Sequence, residues 1–552
     1  MVPKDILVLA MFSLSAVVPG SAAAAEPERA PAMLPNGLRL PNQWPPRPQS
    51  LTREPMEVPC LKSPPAVIPI DVGRQLFVDD FLIDRTTLRR TFHQAEYHPA
   101  CPVLKPDRPW EREGALPTAM VFSDGVWFDP ADGLFKMWYM GGYTTTTCYA
   151  TSKDGIRWEK PSLDVEPGTN IVLRQGRDSV TVWLDLRESD LKRRFKMFAV
   201  QRDGRGWVVV LRVSADGIHW SKPLATSPPT GDRTTVFYNP FRGVWVYSLR
   251  SDYSGLGRTR RYREHPDAVA GLAWRDSEPV LWVGADRLDP HNPNPELRNV
   301  APQLYNLDAV AYESLILGLF SIWQGDPAQR GFQKRNEVLL GFSRDGFHWH
   351  RPDRHPFAGV NESDGAWNWA NVQSAGGGCL VVGDKLYFYV SGRQQSRKTG
   401  HNTTGLAILR RDGFASMDAG SDEGTLTTRA VRFGGKHLFV NLVAPKGELR
   451  VELLDDKGRV LEPFTRANCT PSSGDSTLAE VKWSGADDLS SVSGKAVRFR
   501  FHLRSGSLYS FWVSPDRSGA SHGYVAAGGP GLTGPMDTAG QAAYAAARKL
   551  TE

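Results

Sequence analysis

One ten-residue phrase occurs three times in this chain. Ser152–Pro161 reads SKDGIRWEKP, Ser214–Pro223 reads SADGIHWSKP and Ser343–Pro352 reads SRDGFHWHRP. The central aspartates, Asp154, Asp216 and Asp345, lie 62 and 129 residues apart. The second interval is about twice the first, so a decayed copy belongs between them. Asp276–Trp282 (DSEPVLW) fills that place, and Arg410–Phe414 (RRDGF) supplies a partial copy further on. Five units of 62 to 67 residues result. Each opens on two strand-like runs split by a turn, as in Asp124–Tyr139, Asp178–Phe198, Asp232–Tyr247, Asn306–Ile322 and Trp369–Tyr389.

Four short strands repeated radially, each sheet burying a face on the next, make a β-propeller. The fold class expected is therefore all-β, a five-bladed propeller over 71–421. The Asp-Gly pair reads as the turn into each blade's outer strand, since Asp and Gly tolerate positive φ, and the repeat's Trp as packing between blades. Arg74–Ile83 (RQLFVDDFLI) is strand-like and is expected to close the ring on the last blade, which would remove an open edge. Within it, Asp79 and Asp80 are read as structural. From residue 422 the repeat gives way to alternating strands such as Ala496–Leu503 and Leu508–Val513, which predict a C-terminal antiparallel β-sandwich over 422–516. A tail rich in Gly, Ala and Ser, 517–552, reads as loosely ordered, and the Pro-rich stretch 26–70 as a linker. Residues 1–25 carry Lys4, an apolar run Ile6–Val18 and small residues at 20–25, the pattern of an export signal. The expected location is outside the cytoplasm, secreted or periplasmic, with no stable membrane span.

Composition sharpens this. Seventeen Trp beside 52 Gly and 41 Pro suit short strands and tight turns. A net charge of +6, dispersed without long runs of one sign, argues against nucleic acid as a partner. Five scattered cysteines, Cys60, Cys101, Cys148, Cys379 and Cys469, include no CxxC pair, so no zinc site is read and disulfide pairing stays open.

The repeats, with LFVDDFLI (Leu76–Ile83), FKMWY (Phe135–Tyr139), LAILRRDGF (Leu406–Phe414) and LYSF (Leu508–Phe511), resemble the five-bladed propeller glycoside hydrolases, families 32 and 43 among them. The likeness is greatest to secreted bacterial proteins described as glycosyl hydrolase family 32 N-terminal-like. The Asn-Asp-Pro-Asn-Gly and Glu-Cys-Pro type motifs of family 32 are absent, which turns expectation away from sucrose and fructans. An acid just before successive innermost strands is the family 43 pattern.

Glycoside hydrolysis needs two carboxyls flanking the scissile bond. Aligned on the residue that ends each inner strand (Asp129, Asp185, Asn239, Glu313), positions seven earlier are Phe122, Asp178, Asp232 and Asn306, and positions five earlier are Asp124, Val180, Thr234 and Asp308. Both offsets share parity and so one side of the strand. Asp124, Asp178, Asp232 and Asp308 are therefore expected around the pore. The resemblance implies Asp124 as base or nucleophile and Asp178 as the carboxylate that orients the ring. Asp232, then Glu313, is the expected acid, with Glu337 a further candidate. Trp367, Trp369 and Asn371, in the polar-aromatic insertion AWNWANVQS, together with Arg250 and Arg393 at strand ends, are expected to hold sugar. The partner expected is a carbohydrate; no cofactor is called for, and a divalent cation on the axis stays open. Two alternatives remain: a non-catalytic glycan-binding propeller, and a sialidase-like enzyme, which three arginines converging on the pore would favour.

Overall fold

The computed structural model describes residues 32–325, 334–363, 365–394 and 400–551, so the export segment expected at 1–25 lies outside the described residues. Five blades follow one another along the chain, the last two joined in one sheet by a parallel bridge from Asn336 to Asn371. The first pairs Val126–Asp129, Leu134–Gly141, Thr146–Ser152 and Ile171–Arg174. The second runs from Val180–Leu184 to Ala225–Thr226, and the third from Thr235–Asn239 to Val280–Gly284. The fourth is Gln303–Glu313, Leu315–Trp323 and Asn336–Ser343, with bridges from Phe342 to His350 and from Val338 to Ala358 standing in for an outer strand. In the fifth, Asn371–Ser374 and Leu380–Val382 both pair with Lys385–Arg393, which pairs with Asn402–Arg410. Each innermost strand touches the next, and Leu380–Val382 returns to Val126–Asp129. The ring is closed and has five blades.

The repeat makes the same loop three times. In the first, the Ser152 hydroxyl accepts from the Gly155 N–H at 2.8 Å, while Asp154 Oδ1 accepts from the N–H groups of Ile156 and Arg157, both at 2.8 Å. Ser214 and Asp216 do likewise, as do Ser343 and Asp345. The loop glycines adopt φ of +74°, +80° and +84°, which only glycine enters freely. The tip then docks on the preceding blade. The Trp138 indole donates to the Gly217 carbonyl at 2.7 Å, the Tyr389 hydroxyl to the Gly155 carbonyl at 2.5 Å, and the Trp282 indole to the Phe347 carbonyl at 2.8 Å. Trp158 meets Tyr389 of the fifth blade edge-on, and Trp349 packs on Trp282 of the third. Repeat and ring are thus one device: the phrase is the clasp between blades. A Cβ on Gly217 would collide with the Trp138 indole. Gly217→Ala is expected to destabilise by about 2–4 kcal/mol, from the left-handed backbone and the overpacked indole together. A denaturant midpoint unchanged within experimental error would refute the clasp.

The two decayed copies are not clasps. Asp276–Pro279 is a turn, and Trp282 lies inside the outer strand Val280–Gly284. Asp412, at φ +61°, leads the chain out of the propeller to Ala415–Ala419 in the second domain.

That domain is a nine-stranded antiparallel sheet folded over along the 18-residue strand His437–Leu454. One half of this strand pairs with Gly506–Ser514, the other with Arg498–Arg504. Between the layers lies a separate core that includes Phe77, Phe499, Phe501 and Phe511. The expected sandwich is present, but it begins earlier than 422. Gln75–Leu76, Ile83–Thr86 and Arg89–Phe92 all pair within it. The ring is closed instead by Glu96–Tyr97, antiparallel to Asn402–Arg410. Asp79 is buried on Arg344, two bonds of 3.0 Å, and Asp80 pairs with Arg90, so both are structural.

The tail is ordered. Tyr524–Val525 pairs with Gln303–Glu313, the Ala527 N–H donates to the Cys379 carbonyl and the Ala527 carbonyl accepts from Phe128, which seals the end of the pore where the inner strands finish. Gln541–Thr551 is a helix. The described part of the Pro-rich segment packs along blades three and four, where Asn36 bonds the Arg344 carbonyl and Trp44 meets Phe347. All five cysteines are free thiols, and no helix among the described residues is long and apolar enough to cross a membrane.

Candidate active site

The residues that end the inner strands repeat a turn of their own. Asp129, Asp185 and Asn239 each accept the N–H two residues on, from Ala131, Arg187 and Phe241. With that end shared, Asp178 and Asp232 stand seven residues before it, and Asp124 and Asp308 five residues before it. Asp178 and Asp232, the upper pair, are half-buried; Asp124 and Asp308 are buried.

The upper pair stands side by side. Asp178 Oδ1 accepts from the Ser179 N–H at 2.8 Å and from the Arg233 N–H at 3.2 Å. Arg233 follows Asp232, so the Asp178 carboxyl touches the peptide that joins Asp232 to Arg233. Asp232 in turn faces Arg250 Nε at 3.3 Å, and Arg250 also binds Asp252 at 2.8 Å.

Asp124, expected as base or nucleophile, is gripped through both oxygens by Arg177, with Nη1 at 2.6 Å from Oδ2. Arg177 Nε donates to the Asp178 carbonyl at 2.8 Å, so Asp124 positions the Asp178 backbone through Arg177. Asp308 Oδ2 collects three donors, Ser374 Oγ at 2.6 Å, Asn306 Nδ2 at 2.7 Å and Ser123 Oγ at 3.0 Å. Burial holds the Asp308 carboxyl above the usual range against those donors. Burial likewise pushes Asp124 up to about 6, against the pull of Arg177. A carboxyl whose folded value exceeds its unfolded one holds its proton more tightly in the native state, so its contribution falls as pH rises through that window. Between pH 4 and 7 the stability of the wild type is expected to fall by about 2 kcal/mol relative to Asp124→Asn. Urea unfolding of both proteins across that range reads this, and a constant difference would count against it.

Glu313 does not join these acids. It sits five residues beyond Asp308 at the far end of its strand, at φ +50°, buried on Arg74 and Arg411. Glu337 is bonded by Gln324 and Arg335 on the third strand of blade four. Trp367 is a packing residue. Its ring lies against Gly392 and Gly405, where a Cβ on either would strike it, and edge-on to Tyr97 at 5.1 Å. Trp369 is half-buried just before Asn371–Ser374. Asn371 is buried at the start of that strand and donates to the Lys334 carbonyl at 2.8 Å. Arg393, half-buried, pairs across the strand with Asn371 and has its guanidinium 5.6 Å from the Tyr143 ring.

Sequence reasoning named Arg250 and Arg393 but missed Arg233, Arg258, Lys334 and one phenol. Tyr305 is buried near the start of the inner strand of blade four, and Lys334 Nζ donates to its hydroxyl at 3.0 Å. Arg258 lies 4.6 Å and Arg233 5.7 Å from its ring. A weak signal existed: Arg177–Asp178 and Asp232–Arg233 place Arg beside Asp at the start of successive inner strands. Around them several buried polar atoms lack a hydrogen-bond partner among the described residues, including both side-chain polar atoms of Asn336, Gln373 Oε1 and Ser391 Oγ. A cavity of about 850 Å³ lies elsewhere, between blade five, the sandwich and the C-terminal helix. Its acids Asp384 and Asp475 stand among Lys385, Arg410 and Arg548, with Asp475 paired to Arg410.

No family model matches the chain, and no curated protein matches it. Among solved structures it is similar to a thermostable family-43 glycoside hydrolase, at 11% identity over 53% of this chain and 93% of that one, TM-score 0.38. It is similar also to a fructofuranosidase from Schwanniomyces occidentalis complexed with fructosylnystose, at 10% identity over 76% and 96%, TM-score 0.34. A third is the β-1,2-mannobiose phosphorylase from Listeria innocua, at 12% identity over 57% and 96%, TM-score 0.37. The five-bladed ring stands on this chain's own sheets.

Proposed function

We propose that this chain is an exported glycosidase that cleaves a glycosidic bond of an extracellular oligo- or polysaccharide at the mouth of the propeller pore. The observation that carries the reading is the upper pair: Asp178 and Asp232 rise half-buried from adjacent inner strands, over a polar floor and at the end the tail leaves free. Two carboxyls on one sugar are what glycoside hydrolysis requires. Asp178, fixed by two backbone N–H groups, is the nucleophile or base. Asp232 is the acid that protonates the leaving oxygen. Asp124 holds Arg177 and through it the backbone of Asp178. The Asn336 amide and Gln373 Oε1, unpaired among the described residues, suit sugar hydroxyls, because each buried polar atom left unpaired is costly until a ligand meets it.

The test is incubation of the full chain with neutral and acidic plant and algal glycans, read as new reducing ends. Cleavage that disappears in Asp178→Asn supports the reading. Tight glycan binding with no cleavage of any member would favour the non-catalytic alternative. The sialidase-like alternative gains one observation, the convergence of Arg233, Arg258 and Arg393 near Tyr305, but its repeat has glycine one position later and its ring one blade more. Release of sialic acid from a sialoside decides it.

A further inference from the structure

We propose that the pore mouth holds a site for an anionic substituent of the glycan, a carboxylate or a sulfate, formed by Arg258, Lys334 and Arg393 around Tyr305. The inference rests on reading the pore as a glycan site and adds the substrate class.

Buried cations elsewhere in the chain have carboxylate partners. Arg74 is paired with Glu313 and Asp412, Arg177 with Asp124, Arg344 with Asp79, Arg351 with Asp289, and Arg411 with Glu313 and Asp537. That is the rule for charge withdrawn from water. At the pore the rule lapses. Among the described residues, Arg233, Arg258, Arg260, Lys334 and Arg393 form no ion pair. Arg233 reaches the Ser123 hydroxyl at 3.1 Å and lies 3.6 Å over the Phe122 ring. Arg260 spends its donors on the backbone carbonyls of Arg233, Tyr305 and Ser248 and on Asn306 Oδ1. Among the described residues, Arg258 Nη1 and the Nε atoms of Arg233, Arg260 and Arg393 have no hydrogen-bond partner.

The electrostatics agree. Burial and then the neighbouring Arg233 pull Arg260 down to about 9. Burial alone would raise the Tyr305 phenol, yet Lys334, Arg233, Arg393 and Arg258 together hold it below its ordinary value. Four carboxylates lie in reach without an ion pair to these cations among the described residues: Asp178 near Arg393, Asp124 near Arg233, Asp232 near Arg260, and Asp308 near Arg233 and Arg260. Arg233 and Arg260 are fully buried and supply field from below. Arg258, Lys334 and Arg393 are half-buried and face the ligand. Planar guanidinium groups suit the oxygens of a carboxylate or a sulfate.

The experiment is calorimetric titration of full-length Asp232→Asn protein, so that binding is measured without turnover. The probes are tetragalacturonate for the carboxylate, a sulfated carrageenan tetrasaccharide for the sulfate, and xylotetraose as the neutral control. At least one acidic probe should bind about 10-fold or more tighter than the neutral one in about 50 mM salt, and the advantage should shrink in about 500 mM salt. Adding Lys334→Gln should cost about 10-fold for the acidic probe alone, while Lys334→Arg keeps most of the affinity and shows that the site still folds. Neutral binding equal to or tighter than both acidic probes, or Lys334→Gln without effect, overturns the proposal. Acid-selective binding with no cleavage by the wild type sinks the hydrolase reading and upholds this one; cleavage without acidic preference does the reverse.

Discussion

Asp178→Asn is expected to lower kcat/KM on a cleaved glycan by about 1,000-fold or more, with folding intact. An amide can neither attack the anomeric carbon nor activate water, and such groups are worth two to four orders of magnitude or more. Asn keeps the size of Asp and an oxygen that still accepts from the N–H groups of Ser179 and Arg233. The loss should therefore fall on the chemistry and leave the strand alone. Asp232→Asn separates the two roles. It should be as damaging on natural glycans, whose leaving oxygen needs a proton, and about 10-fold milder or better on aryl glycosides with acidic phenols, which depart unaided. Equal damage by Asp232→Asn on both substrates would remove its role as acid. Full activity in Asp178→Asn would remove the upper pair from the mechanism.

Much of the architecture is legible in the sequence because it is periodic. A loop that clasps each blade to its neighbour needs Ser, Asp and Gly at fixed spacing and an aromatic to follow, so three blades announce themselves and their intervals count the other two. Parity along the inner strands is a weaker guide to the acids, because Ser123, Gly125 and Arg233, at positive φ, interrupt the extended backbone beside Asp124 and Asp232. What failed was non-periodic. LFVDDFLI reads as a strand wherever it goes, and nothing local says that Gln75–Leu76 joins the sandwich while a two-residue strand, Glu96–Tyr97, closes the ring. The tail misled through its composition. Its small residues are there for close approach, as at Gly529, where a Cβ would run into the Val381 backbone. Ion pairing leaves no period either. Asp124 and Glu313 read as free acids because their arginines, Arg177, Arg74 and Arg411, come from turns and loops distant in sequence.

Arg74→Met is expected to be the most destabilising single change, at about 3–5 kcal/mol. Arg74 is fully buried where the propeller, the sandwich and the tail meet. Its guanidinium binds Asp412 at 3.1 Å, the Thr477 carbonyl at 2.9 Å and the Tyr544 hydroxyl at 3.2 Å, faces Glu313 Oε1 at 3.5 Å and lies 4.0 Å from the Trp512 ring. Its backbone N–H donates to Glu313 Oε2 at 3.0 Å. Blade four contributes Glu313, the exit from blade five Asp412, the sandwich Thr477 and Trp512, and the tail Tyr544. Methionine fills similar volume and removes the charge, which leaves Glu313 and Asp412 buried with Arg411 as their nearby cation among the described residues, and Arg411 is already bound to Asp537 at 2.8 Å. Burial raises Glu313, whereas its partners hold Asp412 low, so the cost without Arg74 is the cost of two carboxyls that must protonate or let in water. The triple change Arg74→Met, Glu313→Gln, Asp412→Asn should then recover at least half of the loss, because neutral amides tolerate the site as unpaired carboxylates do not. Equilibrium unfolding of the two variants and the wild type, followed by tryptophan fluorescence, tests both statements. A shift below about 1 kcal/mol for Arg74→Met, or a triple variant weaker than the single one, would show that the junction is held by its apolar contacts and not by this cluster.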